Sequence, residues 1–181
     1  MSEELDILKS VCQRLKNAHI PYMITGSIAA NFYAVPRMTR DIDIVIEVER
    51  QDATRLWGIF KDDFYIDEGS VREAIERRDM FNIIHNERVI KIDFIVRKDT
   101  PYRKLEFKRR QKIQIEGAGI SVVRIEDLIL SKLFWAKDSL SEIQLGDVRN
   151  LLATAKDVDF RYLEKWIHPL DLEDVYQKVK P

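Results

Sequence analysis

Tyr22-Met23-Ile24-Thr25-Gly26-Ser27-Ile28-Ala29-Ala30-Asn31-Phe32-Tyr33, followed after a short loop by Asp41-Ile42-Asp43-Ile44-Val45-Ile46, is the stretch that decides the fold. Residues 22–25 read as a short buried strand. Gly26-Ser27 follows directly, and 28–33 is a helix-like run, so the segment is strand, tight turn, helix. Pro36 breaks any helix in the loop 34–40. The β-branched run from Asp41 to Ile46 is a second strand.

Asp41 and Asp43 are the feature to explain. Period two puts both carboxylates on one face of a strand that is otherwise isoleucine and valine. Neighbouring buried carboxylates repel and lose solvation, so something must compensate. A hard divalent cation does so, since Mg²⁺ takes one or two carboxylates plus substrate phosphates. A structural alternative places Asp41 at the exposed start of the strand, capping the loop, with Asp43 paired to Arg40 or Arg37. Asp93 adds weight to the metal reading, because Lys91-Ile92-Asp93-Phe94-Ile95 is a further apolar strand carrying an acid. Its structural alternative is an ion pair with Lys91 or Arg97, both on the same strand face. Three carboxylates from two strands would make a two-metal clamp, or a one-metal site with a general base. Gly26 lets a backbone approach a ligand closely. The amides of a helix start and the Ser27 hydroxyl can hold phosphate oxygens.

Working outward, Leu5, Leu8, Cys12 and Leu15 recur at helical spacing in 3–18, with Glu3, Glu4 and Asp6 in the first turn. Residues 52–61 suggest a short helix with Leu56, Trp57 and Phe60 inward. Ser70-Val71-Arg72-Glu73 predicts a capping box and a helix start. Phe81–His85 and Val89–Val96 read as a hairpin, and 112–123 as another around Gly117-Ala118-Gly119. From 125 onward Leu128, Ile129, Leu133 and Phe134, then Val148, Leu151 and Leu152, recur at helical spacing. Residues 160–167 and 171–179 suggest two shorter helices. The division is a core over 1–124 and a helical segment over 125–181 packed on it, in an α+β class with a mixed sheet flanked by helices.

The chain has 181 residues, 45% hydrophobic and 34% charged. That suits one globular domain of ~100–200 residues and excludes a disordered chain. Thirty lysines and arginines face 31 acids, so bulk charge marks neither a basic nucleic-acid binder nor an acidic tail. The single cysteine, Cys12, excludes a disulfide framework and a cysteine-rich zinc site. No apolar run approaches ~18 residues, and the acidic N-terminus is unlike a secretory leader. A soluble, cytoplasmic protein with no membrane contact is expected.

Taken together, Ile24-Thr25-Gly26-Ser27, Thr39-Arg40-Asp41-Ile42-Asp43 and Ile92-Asp93-Phe94 resemble the polymerase-β-type nucleotidyltransferase superfamily. The stretch from Gly26 to Asp43 looks most like its small prokaryotic members, among them toxin-type enzymes of toxin–antitoxin systems. The resemblance covers about residues 20–96, and is looser over Glu126-Asp127-Leu128, Lys132 and Asp147. It implies a nucleotidyltransferase-like sheet and Mg²⁺-dependent transfer of a nucleoside monophosphate from an NTP to an acceptor hydroxyl, with release of pyrophosphate. Asp41, Asp43 and Asp93 would be catalytic and would hold one or two Mg²⁺ ions, Asp93 alternatively deprotonating the acceptor. Gly26, Ser27, Arg40 and Lys132 would bind the nucleotide. The acceptor would be RNA such as tRNA, a protein or a small molecule, and a cognate antitoxin is an implied partner. The alternative on the same fold is a non-catalytic nucleotide-binding or antitoxin-binding protein.

Other residues carry two readings. Lys132 is either a phosphate contact or an exposed helix lysine. Arg37 and Arg40 either steer nucleotide or neutralise the acids, and Asp147 either caps a helix or supports the site. His85 is read as structural, and Trp57, Trp135 and Trp166 as core. Arg97, Lys98, Arg103, Lys104, Lys108, Arg109, Arg110 and Lys112, against Asp99 and Glu106, give a local excess of six positive charges. That segment suits either a phosphate-rich acceptor or an exposed edge strand guarded by lysines.

Overall fold

The computed structural model describes residues 3–39, 41–155 and 157–180. Helix α1 (Glu3–Asn17) has an acidic first turn and a basic last turn, matching the helix dipole. Its Leu8, Val11, Cys12 and Leu15 are buried on one stripe. Strand β1 (Tyr22–Thr25) runs straight into α2 (Gly26–Tyr33), and β2 (Ile42–Ile46) follows the loop. Then come α3 (Ala53–Gly58), the short β3 (Phe64–Tyr65), α4 (Glu68–Arg77), β4 (Met80–His85) and β5 (Lys91–Val96). After α5 (Pro101–Arg109), the hairpin β6 (Gln111–Ile115) and β7 (Ala118–Val122) leads to α6 (Ile125–Ser139), α7 (Glu142–Thr154), α8 (Phe160–Ile167) and α9 (Glu173–Gln177).

Among the described residues the strands form one seven-stranded sheet in the order β3-β4-β5-β2-β1-β7-β6. β2 pairs parallel with β5 and β1 parallel with β7, while the other neighbours are antiparallel, so the sheet is mixed as expected. Alternation sorts its central strands into two faces. Ile24, Ile44, Phe94 and Phe81 lie side by side on one face and are buried. Phe94 stacks on Phe81 with centroids 5.2 Å apart, and Phe60 packs 5.6 Å from it. The acids lie on the other face, over which α6 packs against α2, α7 and α8. No helix among the described residues is long and apolar enough to cross a membrane.

Three expectations are corrected. The cap of α4 is Asp67 rather than Ser70; its carboxylate accepts from the Ser70 amide and hydroxyl, each at 2.7 Å, so the helix starts at Glu68. Residues 97–112 are mostly helix, and only Gln111 and the exposed Lys112 stand on an edge strand, β6. Thr100 caps α5 and Pro101 stands in its first turn, where a missing amide proton costs nothing. Trp135 is 58% exposed and so is not core.

Four cations of that segment are paired with acids within the protein, while Lys98, Lys108 and Lys112 are exposed. Arg97 pairs with Glu47 at 2.7 Å, Arg103 with Glu106 at 2.8 Å, Lys104 with Asp99 at 2.9 Å and Arg109 with Asp127 at 2.9 Å. Asp127 is fully buried and also accepts from the hydroxyls of Tyr102 at 3.2 Å and Tyr162 at 2.7 Å. One carboxylate thus ties α5 and α8 to α6. Asp127→Ala strands a partly buried guanidinium and two phenols, and should cost about 3 kcal/mol or more in urea unfolding. Asp127→Asn, which keeps an acceptor for the tyrosines, should cost less.

Candidate active site

A single row crosses four strands. Thr25 pairs with Asp43, Asp43 with Asp93, and Asp93 with Asn82, and residues paired in this way share a face. Asp43 and Asp93 are therefore immediate neighbours on adjoining parallel strands. Asp41 stands just before β2 and is exposed. Burial, reinforced by the charge of Asp93, raises the Asp43 carboxyl above the usual aspartate range, while Lys132 and Lys91 pull it down. Asp93 is held by the Lys91 ammonium at 2.8 Å, one of its two anticipated partners; Arg97 instead binds Glu47 and Asp99.

Gly26 sits where β1 turns into α2, with φ at +64°. A Cβ built there would lie 1.9 Å from Asp43 Oδ2. Glycine is thus required twice, by the left-handed backbone and by the carboxylate against it. The first turn of α2 has no side-chain cap, which leaves its amides for an anion. Ser27 Oγ accepts from Arg37 Nη2 at 2.6 Å, so its own proton remains available to a phosphate oxygen.

Arg37 reaches away from the acid row. Its Nε and Nη2 donate to the two oxygens of Asp147 at 2.7 and 3.0 Å. Asp147 lies inside α7 and is buried, so it supports the site rather than capping a helix. It also accepts from Lys132 Nζ at 2.7 Å. Burial opposes its charge, but the hydrogen bonds from Arg37 and Lys132 outweigh burial and hold its carboxyl below the ordinary range. Lys132 is 3% exposed, which rules out an ordinary surface lysine; Gln144 Oε1 takes a second proton at 3.1 Å. Ser27, Arg37, Asp147 and Lys132 form one chain of contacts around the turn. Arg40 lies outside the described residues. His85, at the far end of β4, packs edge-on against Phe64 and serves the turn that follows it.

Gly26, Asp43, Lys132, Gln144 and Trp135 line a cavity of about 230 Å³. Gln144 and Trp135 were not anticipated. The available signal was spacing: Trp135 is three residues after Lys132, and Gln144 three before Asp147, one helical turn in each case.

The donor set suits a hard cation. Asp43 receives no hydrogen bond or ion pair among the described residues, and the exposed Asp41 stands two residues before it. No group of three acidic, histidine or cysteine side chains among the described residues is placed to hold a metal ion, so the expected three-carboxylate metal set of Asp41, Asp43 and Asp93 is not shown. A Mg²⁺ ion that completes its shell with phosphate oxygens and water needs no such set.

The sequence matches no family model and no curated protein. Solved structures do match. An antigenic nucleotidyltransferase-like protein from Paracoccidioides brasiliensis superposes with a TM-score of 0.58 at 20% identity, over 83% of this chain and 75% of that one. The chain has the nucleotidyltransferase fold. A lincosamide antibiotic adenylyltransferase solved with lincomycin superposes at 0.55 with 14% identity, over 83% of this chain and 96% of that one. An antibiotic-resistance factor, ANT(2'')-Ia, superposes at 0.51 with 14% identity, over 83% of each chain.

Two outcomes test this geometry. Gly26→Ala should cost about 1–3 kcal/mol, and combining it with Asp43→Ala should recover part of that loss, giving a coupling of roughly 1 kcal/mol in a double-mutant cycle. Additive losses would place the two residues apart. The Asp147 carboxylate, with its depressed pKa, stabilises the fold fully above the ordinary aspartate value of about 3.9 and less as pH falls below it. The stability gap between wild type and Asp147→Asn, measured by urea at a series of pH values, should therefore be wide at pH 7 and narrow in acid.

Proposed function

We propose that the protein is a Mg²⁺-dependent nucleotidyltransferase, moving a nucleoside monophosphate from an NTP to an acceptor hydroxyl. The observation that carries this reading is the Asp43–Asp93 pair on adjoining strands, set directly over the Gly26-Ser27 turn. The nucleotidyltransferase fold supports it, but fold alone does not assign chemistry.

Asp41 and Asp43 would hold Mg²⁺, which when bound supplies charge neutralisation and Lewis-acid polarisation at the triphosphate. The uncapped amides of α2 and the Ser27 hydroxyl take phosphate oxygens. Lys132, fixed by Asp147 and Gln144, adds positive field beside Asp43. Asp93, oriented by Lys91, accepts the proton of the acceptor hydroxyl. The acceptor oxygen forms a bond to the α-phosphorus, the bond from that phosphorus to the bridging oxygen breaks, and pyrophosphate leaves with the electron pair. Catalysis is positioning plus electrostatics.

The test is incubation with each of four α-labelled NTPs, Mg²⁺, and acceptor pools that include tRNA, lysate protein and lysate small molecules. Label transfer with pyrophosphate release is expected. It should fall at least about a hundredfold in Asp43→Ala, with the circular dichroism spectrum unchanged, and disappear with a chelator. No transfer in any combination would refute the enzyme. NTP binding without pyrophosphate release would instead support a non-catalytic nucleotide-binding protein.

A further inference from the structure

Two residues beyond the acid row, the same sheet face changes character. Val45 pairs with Ile95 as Asp43 pairs with Asp93, about 7 Å further along both strands. These two side chains floor a second cavity of about 650 Å³. Its walls include Phe134 and Trp135 of α6, Trp166 of α8 and Leu170. Thr25, Ile95, Ser131 and Trp135 line both cavities, so the large one adjoins the small one over Asp43.

We propose that this larger cavity seats the acceptor, and that the acceptor is a compact, uncharged molecule with an apolar ring-bearing body and a hydroxyl presented to Asp93. The proposal rests on the nucleotidyl-transfer reading and names its substrate class. Size is the first argument: pockets for small molecules run from about 300 to 1,000 Å³. The second argument is the lining, which is aromatic and aliphatic where it faces the sheet. The third is charge. A polynucleotide needs unengaged cations for its phosphates. Of the three cations in the lining, Arg97 is bound to Glu47 at 2.7 Å, and Arg103 to Glu106 at 2.8 Å and Ser131 Oγ at 2.6 Å; the Lys98 ammonium alone is without a partner among the described residues, one free cation where a run of phosphates needs several. Ser131 in turn donates to Glu106 Oε1 at 2.7 Å. That closed cluster gives the cavity one polar corner, beside the small cavity, to orient a substituent of the acceptor. The hydroxyl oxygen then bonds to the α-phosphorus as pyrophosphate departs, and its proton passes to Asp93.

The experiment uses a graded series of uncharged hydroxylated ring compounds, from cyclohexanol to a monohydroxylated steroid, and bulk tRNA. Binding is read by tryptophan fluorescence, transfer by label from an α-labelled NTP. Leu170→Trp narrows the cavity from its mouth, and Phe134→Ala, at a 42% exposed position, removes a wall without threatening the fold. Affinity should rise through the series, both variants should raise the KM for the acceptor at least tenfold, and NTP binding should stay unchanged. The proposal is overturned if no member of the series perturbs the fluorescence at millimolar concentration, or if tRNA takes label equally fast in wild type and Leu170→Trp. Saturable binding of the series with no transfer from any NTP would refute the transfer reading while supporting the class of ligand.

Discussion

Two like charges on adjoining strands govern this structure. Asp43 and Asp93 occupy paired positions of a parallel ladder, where neighbouring strands lie about 4.8 Å apart. Carboxylates at paired positions repel, and more strongly where burial takes them out of water. Asp43 is partly buried and its carboxyl is raised, as burial and that repulsion require. The surroundings are arranged around the tension. Lys91 is bound to Asp93, and Lys132 brings positive charge to Asp43 without contacting it. Lys132 stays in place because Asp147 and Gln144 hold it, and Arg37 links Asp147 to Ser27. Gly26 is the steric condition for all of it, since any side chain there would occupy the place of the Asp43 carboxylate.

The strands and the acid row were readable because alternation is local. Asp41, Asp43 and Asp93 stand out against isoleucine and valine, and the turn at Gly26-Ser27 follows from its place between strand and helix. Register was not readable: no local signal says that Asp43 faces Asp93 rather than a residue two places away. The cation segment misled because two of its arginines, Arg97 and Arg109, balance against acids distant in sequence, Glu47, Glu126 and Asp127. The Thr100-Pro101 cap was the clue to its helix. Lys132 and Asp147 were visible as candidates, but their mutual contact depends on how α6 and α7 pack. Trp135 was assigned to the core by residue type, whereas its position on α6 turns it toward a cavity mouth.

The two cavities share one sheet face but differ in chemistry, and the difference follows from strand order. Because β2 and β5 are parallel, moving along either leads in step from carboxylate to hydrocarbon and then to the Glu47–Arg97 ion pair that closes the face beyond it. The carboxylate end suits a triphosphate and its cation, and the apolar stretch suits a molecule that must be held by shape. Ser131, with Glu106 and Arg103, stands at the boundary.

The most direct measurement is a crystal structure of the protein with a non-hydrolysable NTP analogue and Mn²⁺ in place of Mg²⁺, read by anomalous scattering. The account predicts an anomalous peak bridging Asp41, Asp43 and the triphosphate, with the phosphates over the Gly26-Ser27 turn and Asp93 facing the α-phosphorus. A nucleotide bound elsewhere, or one bound at this turn with no metal at Asp43, would contradict it.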